Sequence, residues 1–220
     1  MVYFERTRGS LSPLRGEREV TTTEKPDVTG IQDAVRKKYA DIAVSAEGKF
    51  NYPTGRDGAL SQGYDPEVIG SMPVELIESF CGVGNPFTLG PVNPGETALD
   101  IGCGAGFDLI VASRMVGEKG TVCGIDLTPE MAEKAKRNLS RHGVAHFEVR
   151  TAAAESIPFD YNAFDVVISN GVLNLSPMKE KSFREIYRVL KPGGRLQFAD
   201  IVLKEGAAVP GAGGLESWSN

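Results

Sequence analysis

Short apolar runs alternate with helically spaced apolar positions over residues 97–203. The predicted strands are 97–101, 121–127, 146–151, 164–170 and 195–203. Helices are predicted between them, at about 106–116, 129–142 and 178–190. Strands that are apolar nearly throughout and alternate with helices are typical of a parallel sheet covered on both faces. The pattern therefore predicts an α/β fold for this part of the chain.

The first 90 residues follow a different pattern, in which two helices are predicted. One is an amphipathic helix, indicated by the helical spacing of Ile31, Val35, Tyr39 and Ile42. The other is a short helix after Pro73 with an apolar face of Val74, Ile77 and Phe80. We expect a long irregular segment over residues 46–71, which are rich in Gly, Tyr and Asp, and a turn over residues 84–87.

These patterns divide the chain into four parts. Residues 1–28 lack sustained periodicity and are expected to be a disordered tail, while residues 29–90 are expected to form a helical lid. A ligand-binding domain is expected over residues 91–203, followed by an irregular tail over residues 204–220. The last predicted strand would then be an apolar sheet edge. Three alternatives remain open: a naturally short protein, a truncated gene product, or an edge that a partner or the N-terminal segment covers. We expect self-association through this edge.

Composition narrows the classes of partner and the compartment. The formal net charge is −5 and no basic cluster is present, so we expect no nucleic-acid partner. The cysteine count is odd, at three, and there is no secretory apolar region, which favours a reducing, cytoplasmic setting. No apolar run approaches the roughly 18 residues of a membrane span, so we expect no membrane partner.

The stretch 99-LDIGCGAGFD-108 places three glycines in the turn between the first predicted strand and the following helix. Ligands bind open α/β sheets at this end of the strands, and glycine lets a ligand approach the main chain closely. Asp126 ends the second predicted strand 20 residues after Gly106. A carboxylate there can accept hydrogen bonds from two ribose hydroxyls. Asp100 and Asp108 would attract a cationic group and repel a pyrophosphate, so the ligand is expected to be a nucleoside with a cationic end.

This stretch resembles motif I of the class I S-adenosylmethionine-dependent methyltransferases. Supporting motifs follow in family order: 124-GIDLTPEM-131, 151-TAAAESIPF-159, 164-FDVVISNGVLNL-175 and 188-RVLKPGGRL-196. The resemblance implies S-adenosylmethionine as cofactor and a Rossmann-like sheet. Its five strands, numbered as they follow along residues 97–203, would have the order 3-2-1-4-5, and the family's strands 6 and 7 would be missing.

The resemblance also implies a set of cofactor-binding residues. Gly102, Gly104 and Gly106 would line the donor, with Asp100 at its methionine end. Asp126 would hold the ribose hydroxyls, and Leu127 and Met131 would lie near the adenine. The full expected set also includes Cys103, Asp108, Ala153, Ala154, Glu155 and Asn170. Ala153 stands where the family often has an aspartate that reaches the adenine amino group. Losing that hydrogen bond costs about 1–3 kcal/mol, unless the main chain near Ala154 or the Glu155 side chain compensates.

Several segments are similar to the arsenite methyltransferase branch: 34-AVRKKYADIA-43, 84-GNPF-87, 95-GETALDIGCGAGFD-108 and 166-VVISNGVLNLSPMKEK-181. That branch would imply trivalent arsenic held by cysteine thiolates. Here Gly171 stands at the branch's cysteine position after the fourth predicted strand, and residues 44–64 contain no cysteine. Cys81 alone is a free candidate. We therefore expect an acceptor other than arsenite, namely a small molecule, and no metal site.

The lid and the strand ends supply the candidate acceptor-binding residues, which are Tyr39, Tyr52, Tyr64 and Asn174. The sequence identifies no catalytic base, and His142 and His146 are expected at the surface, far from the donor. Three alternatives to a small-molecule methyltransferase remain. They are an arsenite methyltransferase, a catalytically silent nucleoside-binding module and a nicotinamide-dependent oxidoreductase. The G-x-G-x-G spacing disfavours the oxidoreductase.

Overall fold

A computed structural model describes residues 2–5, 27–43, 46 and 48–201. Its strands are β1 (Val2–Glu5), β2 (Thr97–Ile101), β3 (Thr121–Asp126), β4 (Phe147–Thr151), β5 (Phe164–Asn170) and β6 (Leu190–Ala199). They form one sheet in the order β1-β6-β5-β2-β3-β4. The strands β2 to β6 are parallel, and their spatial order confirms the predicted 3-2-1-4-5 arrangement.

The three helices of the α/β part lie close to their predicted positions: α5 (Phe107–Val116), α6 (Pro129–Arg141) and α7 (Lys179–Val189). Thr128 and Pro129 begin α6 as an N-cap and first-turn proline. The start of α7 is later than the Ser176-Pro177 pair predicts. The hydroxyl of Ser176 is turned towards the buried Glu155 carboxylate, so the helix begins only at Lys179.

Among its described residues, the N-terminal part contains four α-helices, α1 (Val28–Ile42), α2 (Gly55–Ser61), α3 (Pro66–Gly70) and α4 (Val74–Glu78), and one 3-10 helix, Pro86–Leu89. The prediction of α1 is confirmed, with Ile31, Val35 and Ile42 buried. The expected irregular segment over 46–71 is wrong where α2 and α3 form, because helices of seven and five residues are too short to show a period. Asp65 caps α3 by accepting a hydrogen bond from the N–H of Glu67. In α4, Val74 is 61% exposed, against the prediction, whereas Ile77 is buried.

The first residues of the chain pair with the sheet edge. β1 runs antiparallel to β6, with Val2 opposite Phe198 and Glu5 opposite Arg195. The expected disordered tail is therefore wrong for residues 2–5, because a free edge offers main-chain hydrogen bonds to an extended segment. The covered edge also removes the premise for self-association through β6. The strand β6 ends at Ala199, and residues 6–26 and 202–220 lie outside the described residues.

Two hydrophobic clusters cover opposite faces of the sheet, because alternate strand residues point to opposite faces. Leu99, Cys123 and Val167 belong to the cluster under α7. Ala98, Val122 and Val166 belong to the other cluster, which includes residues of the lid helices and of α5 and α6. The lid is thus part of the main core, and it lies at the carboxyl ends of β2, β3 and β5. Among the described residues, no helix is long and apolar enough to cross a membrane.

Candidate active site

The glycine loop joins β2 to α5 in a left-handed backbone path. The φ angles are +72° at Gly102, +51° at Gly104 and +92° at Gly106. The N–H groups of Gly102 and Cys103 both donate to the carbonyl oxygen of Ile125, at 2.8 and 2.9 Å. A Cβ atom on Gly102 would lie 2.3 Å from a methyl carbon of Val172. This position therefore requires glycine for both conformation and space.

Asp126 ends β3 beside this loop, with both carboxylate oxygens anchored by the main chain. Oδ2 accepts from the N–H of Gly104, and Oδ1 accepts from the N–H of Thr128, each at 2.8 Å. Burial raises the pKa of Asp126 to about 6, although the two hydrogen bonds act in the opposite direction. The carboxylate is fixed in position, and each oxygen keeps a lone pair for a further donor.

A second buried acid, Asp108, lies in the first turn of α5. Its Oδ1 accepts from the hydroxyl of Tyr64 at 2.6 Å, and its Oδ2 accepts from Nδ2 of Asn170 at 3.2 Å. Burial raises the pKa of Asp108 to about 6. Asp100, in β2, also has its pKa raised well above the ordinary value, by burial first and then by the charges of Asp108 and Asp126. Three acids close together favour a cation at this end of the site.

Asn170, at the end of β5, fixes the lid segment that follows α4. Its Oδ1 accepts from the N–H groups of Val83 and Gly84, at 2.8 and 3.1 Å. Its Nδ2 donates to the carbonyl oxygen of Gly84 at 2.8 Å. The same amide reaches Tyr64 and Asp108, so one side chain joins β5, α5 and the lid.

A cavity that opens to solvent lies between the strand ends and the lid, and the space inside it that the centre of a water molecule can occupy is about 100 Å³. The predicted cofactor residues that line it are Gly102, Gly104, Asp126, Leu127, Met131, Ala153, Ala154, Glu155 and Asn170. The other predicted cofactor residues are buried and do not line the cavity; these are Asp100, Cys103, Gly106 and Asp108.

The predicted acceptor-binding residues are more scattered. Tyr39 lines the cavity. Tyr64 does not line it, but its hydroxyl donates to Asp108 and accepts from Asn170, which is a lining residue. Tyr52 donates its hydroxyl to the carbonyl oxygen of Cys81 at 3.0 Å. Asn174 is exposed, and its N–H donates to the Asp200 carboxylate, so it does not join the lining.

Several lining residues were not predicted as site residues from the sequence. They are Gln32, Val35, Ser79, Ile101, Ile125, Thr128, Ala152, Val172, Leu175, Ser176 and Pro177. Cys81, which the sequence offers only as a candidate arsenic ligand, also lines the cavity. The sequence does give a signal for the lining residues of α1. Val35 and Tyr39 are predicted on one apolar face of this helix, and Gln32 follows Ile31 of the same face. Ser79 and Cys81 belong to the lid, where the sequence shows no recognisable motif.

Glu155 links the lid helix α1 to the segment before α7. Its Oε1 accepts from the hydroxyl of Ser176 at 2.5 Å, and its Oε2 accepts from Nε2 of Gln32 at 3.4 Å. Glu155 is 7% exposed. A buried carboxylate is stable only when it is hydrogen-bonded, and here two different parts of the chain supply the donors.

Of the three cysteines, Cys81 alone lines the cavity. Burial, with a smaller effect of the Asp126 charge, raises the pKa of its thiol to about 12 despite nearby Lys38. Cys103 is buried within the glycine loop and Cys123 within β3. Gly171 has a φ of +76°, and a Cβ there would lie 3.3 Å from the side chain of Val83. Val83 therefore limits the space that a cysteine side chain at position 171 would need.

His142 and His146 lie far from this cavity, as expected. They follow α6 and contribute to a separate depression with Arg114, whose Nη2 lies 3.2 Å from Nε2 of His142. Among the described residues, no group of three or more His, Cys, Asp or Glu side chains is arranged to hold a metal ion.

Residues 92–217 match the family model described as a methyltransferase domain. The chain is 37% identical over 185 residues to an arsenite methyltransferase of Halobacterium salinarum, covering 78% of this chain and 47% of that protein. It is 44% identical over 107 residues to the ubiquinone/menaquinone biosynthesis C-methyltransferase of Escherichia fergusonii, covering 48% of this chain and 42% of that protein. The chain therefore spans about half the length of these curated relatives.

Among solved structures, the chain is similar to an arsenic(III) S-adenosylmethionine methyltransferase from Chlamydomonas reinhardtii. The TM-score is 0.57 and the identity is 36%, over 63% of this chain and 50% of that one.

Proposed function

The chain belongs to the methyltransferase domain family, and from this premise we propose that it transfers a methyl group from S-adenosylmethionine to a small-molecule acceptor. Two proteins of similar structure are named as methyltransferases that use S-adenosylmethionine. The observation that carries the proposal is the Asp126 carboxylate, which is anchored by the N–H of Gly104 within the glycine loop itself. The glycine loop and Asp126 are thus joined by this hydrogen bond. Together they offer the cavity a main-chain surface and a carboxylate that can accept hydrogen bonds from hydroxyl groups.

The residues present fit this cofactor. Asp126 would hold the ribose hydroxyls, and the loop at Gly102 and Gly104 would lie against the donor's main body. Leu127 and Met131 would provide an apolar wall for the base. S-adenosylmethionine supplies a methyl group that is already activated on a sulfonium cation. Asp100 and Asp108 are buried and do not line the cavity. Burial raises the pKa of both acids, and a positively charged ligand nearby would favour their ionised forms.

The protein's contribution to transfer would be to position the acceptor and exclude water. Positioning contributes on the order of 7–11 kcal/mol in favourable cases. Tyr39 and Cys81 reach the cavity from the lid side. The pKa values of both groups are raised by burial, so both are protonated at neutral pH and neither is a ready base. This favours an acceptor that does not need Tyr39 or Cys81 to remove a proton before the methyl transfer.

The cysteine arrangement supports an acceptor other than trivalent arsenic. A three-thiolate site needs three cysteines that converge, and of this chain's three only Cys81 lines the cavity. Arsenite nevertheless remains the second candidate acceptor, because the chain is similar to arsenite methyltransferases over 78% of its length. The third candidate is a nucleoside-binding protein without catalytic activity. Ala153 supports this candidate, because its side chain offers no hydrogen bond to the adenine amino group.

Turnover assays would separate these candidates. We would measure release of S-adenosylhomocysteine from S-adenosylmethionine with a panel of small thiols, amines and phenols, and with arsenite, for the wild type and Cys81→Ala. If the acceptor is a small molecule other than arsenite, we expect turnover with at least one of the thiols, amines or phenols, at similar rates in the wild type and in Cys81→Ala. Turnover with arsenite alone, lost in Cys81→Ala, would establish the second candidate. Donor binding without any turnover would favour the silent module.

A further inference from the structure

We propose that Gln32 and Glu155 select adenine as the base of the donor, so that the lid helix α1 takes part in base recognition. This inference rests on the proposed function, because it names the specificity residues of the same donor site. It assigns a role to Gln32, a lid residue outside the glycine motif. It also assigns recognition of the adenine amino group to Glu155, two residues after Ala153.

The two side chains form a polar pair in the lining of the cavity, beside Ser176, whose hydroxyl donates to Glu155. Both line it, together with Leu127, Met131 and Ala153. Nε2 of Gln32 donates to Oε2 of Glu155 at 3.4 Å, which is long for a hydrogen bond of this type. The two residues are separated by 123 positions in sequence, so the pair exists only because α1 packs over the donor edge.

The pair retains unused hydrogen-bonding capacity towards the cavity. An ionised carboxylate has about four acceptor positions, and Glu155 uses one for Ser176 and one for Gln32. The Gln32 amide has two N–H donors, and one of them is directed to Glu155. An acceptor and a donor therefore remain side by side in the base-binding part of the cavity.

That arrangement matches the hydrogen-bonding edge of adenine. The exocyclic amino group of adenine donates hydrogen bonds, and the adjacent ring nitrogen N1 accepts one. The Glu155 carboxylate would accept from the amino group, while the Gln32 amide would donate to N1. Hypoxanthine presents the reverse pattern, with a carbonyl oxygen at C6 and a hydrogen on N1. Its carbonyl would face the carboxylate with no hydrogen between them, which is repulsive.

Glu155 would also compensate for Ala153. The methyl group of Ala153 offers no hydrogen bond, so an adenine amino group beside it needs another acceptor once it is removed from water. Asp126 is directed elsewhere, because its two oxygens are held by Gly104 and Thr128. Glu155 is the buried carboxylate that shares the cavity lining with Ala153 and Ala154.

The test compares S-adenosylhomocysteine with S-inosylhomocysteine by calorimetric titration. The proteins are the wild type, Glu155→Gln, Gln32→Leu and, as a matched control, Glu133→Gln on the exposed face of α6. The wild type and Glu133→Gln should prefer the adenine ligand by about tenfold or more. Glu155→Gln should lose most of this preference, because an amide can donate to the C6 oxygen. Gln32→Leu should weaken binding of the adenine ligand by about three- to tenfold.

Equal affinity of the wild type for the two ligands would overturn the inference and leave the proposed function standing. An unchanged preference in folded Glu155→Gln would also overturn it. If Glu155→Gln does not fold, Gln32→Leu decides, and an unchanged affinity for the adenine ligand would then count against the inference. Failure of the folded wild type to bind either ligand would overturn the proposed function and this inference together.

Discussion

The two walls of the cavity are built differently. The sheet wall consists of strand ends and the glycine loop, and its Asp126 is held by main-chain N–H groups close in sequence. The lid wall consists of side chains from helices and loops, and its contacts join distant positions, such as Tyr64 with Asp108 and Gln32 with Glu155. The sheet wall is therefore rigid and suited to holding the donor. The lid wall depends on packing and is suited to selecting what the site accepts.

The largest effect is expected from a side chain in the glycine loop of the sheet wall. Gly102→Ala would place a Cβ 2.3 Å from Val172 at a φ of +72°. We expect a loss of about 3 kcal/mol in the free energy of unfolding, from left-handed strain and overpacking together. Gly143→Ala is the control, because its φ is +71° with nothing within 4 Å of the added Cβ.

The control should lose only about 1–2 kcal/mol in urea unfolding, which is the cost of the left-handed conformation alone. Equal losses in the two variants would show that close packing on Val172 does not constrain the loop.

Loss of the sheet-wall carboxylate is expected to remove most of the donor affinity. Asp126→Asn replaces one of two acceptor oxygens with an NH₂ group, which cannot accept from a main-chain N–H or hold a hydroxyl pair in the same way. Donor affinity in a calorimetric titration should fall about ten- to a hundredfold. Asp160→Asn, at an exposed position, should bind as the wild type does. An unaffected affinity in Asp126→Asn would remove Asp126 from the site.

A lid-wall change should affect stability more modestly. Tyr64→Phe removes the hydroxyl that donates to Asp108 at 2.6 Å and leaves the buried carboxylate with one fewer donor. We expect the free energy of unfolding in urea to fall by about 1–2 kcal/mol. Because the Tyr64 hydrogen bond lowers the pKa of Asp108, the variant should also raise that pKa. Tyr161→Phe, at a side chain that is 72% exposed, is the control and should change neither quantity.

The smallest effect is a pH dependence that distinguishes the cationic donor from its neutral thioether product. The pKa values of Asp108 and Asp126 are raised to about 6, so both carboxyl groups are partly protonated below that pH. A sulfonium cation favours the ionised forms. Affinity for S-adenosylmethionine should therefore rise several-fold from about pH 5 to about pH 7.

S-adenosylhomocysteine should show a weaker rise in the same titrations, because its sulfur is uncharged. Parallel pH profiles for the two ligands would contradict a role of these acids in binding the cation.

The stability of the free protein should follow the opposite trend. Burial raises both pKa values above the ordinary value of 3.8, so the folded state binds more protons than the unfolded state between about pH 4 and pH 6. These two groups therefore lower the stability of the free fold as pH rises through that window. The donor's positive charge would offset this cost.

Sequence reasoning predicted the sheet wall because its signals are local. Each strand or helix period is local, and the glycine spacing and Asp126 lie within about 30 residues of each other. The structure also confirms the sheet order that the resemblance to the methyltransferase family implies. The resemblance to the methyltransferase family is also confirmed.

The lid wall could be predicted only in part. Gln32 and Ser176 meet at Glu155 from distant parts of the chain, and no local pattern encodes that meeting. The helices α2 and α3 are too short to show a hydrophobic period, and Val74 occupies an exposed position despite its apolar spacing. The pairing of β1 with β6 depends on an unoccupied edge, which the sequence of residues 2–5 does not reveal by itself.

Binding of S-adenosylmethionine to the sheet wall can be measured by calorimetric titration of the wild type with this cofactor and, for comparison, with NAD. We expect saturable binding of one S-adenosylmethionine per chain and no comparable binding of NAD. A folded protein, judged by circular dichroism, that binds NAD instead or fails to bind S-adenosylmethionine would contradict this expectation.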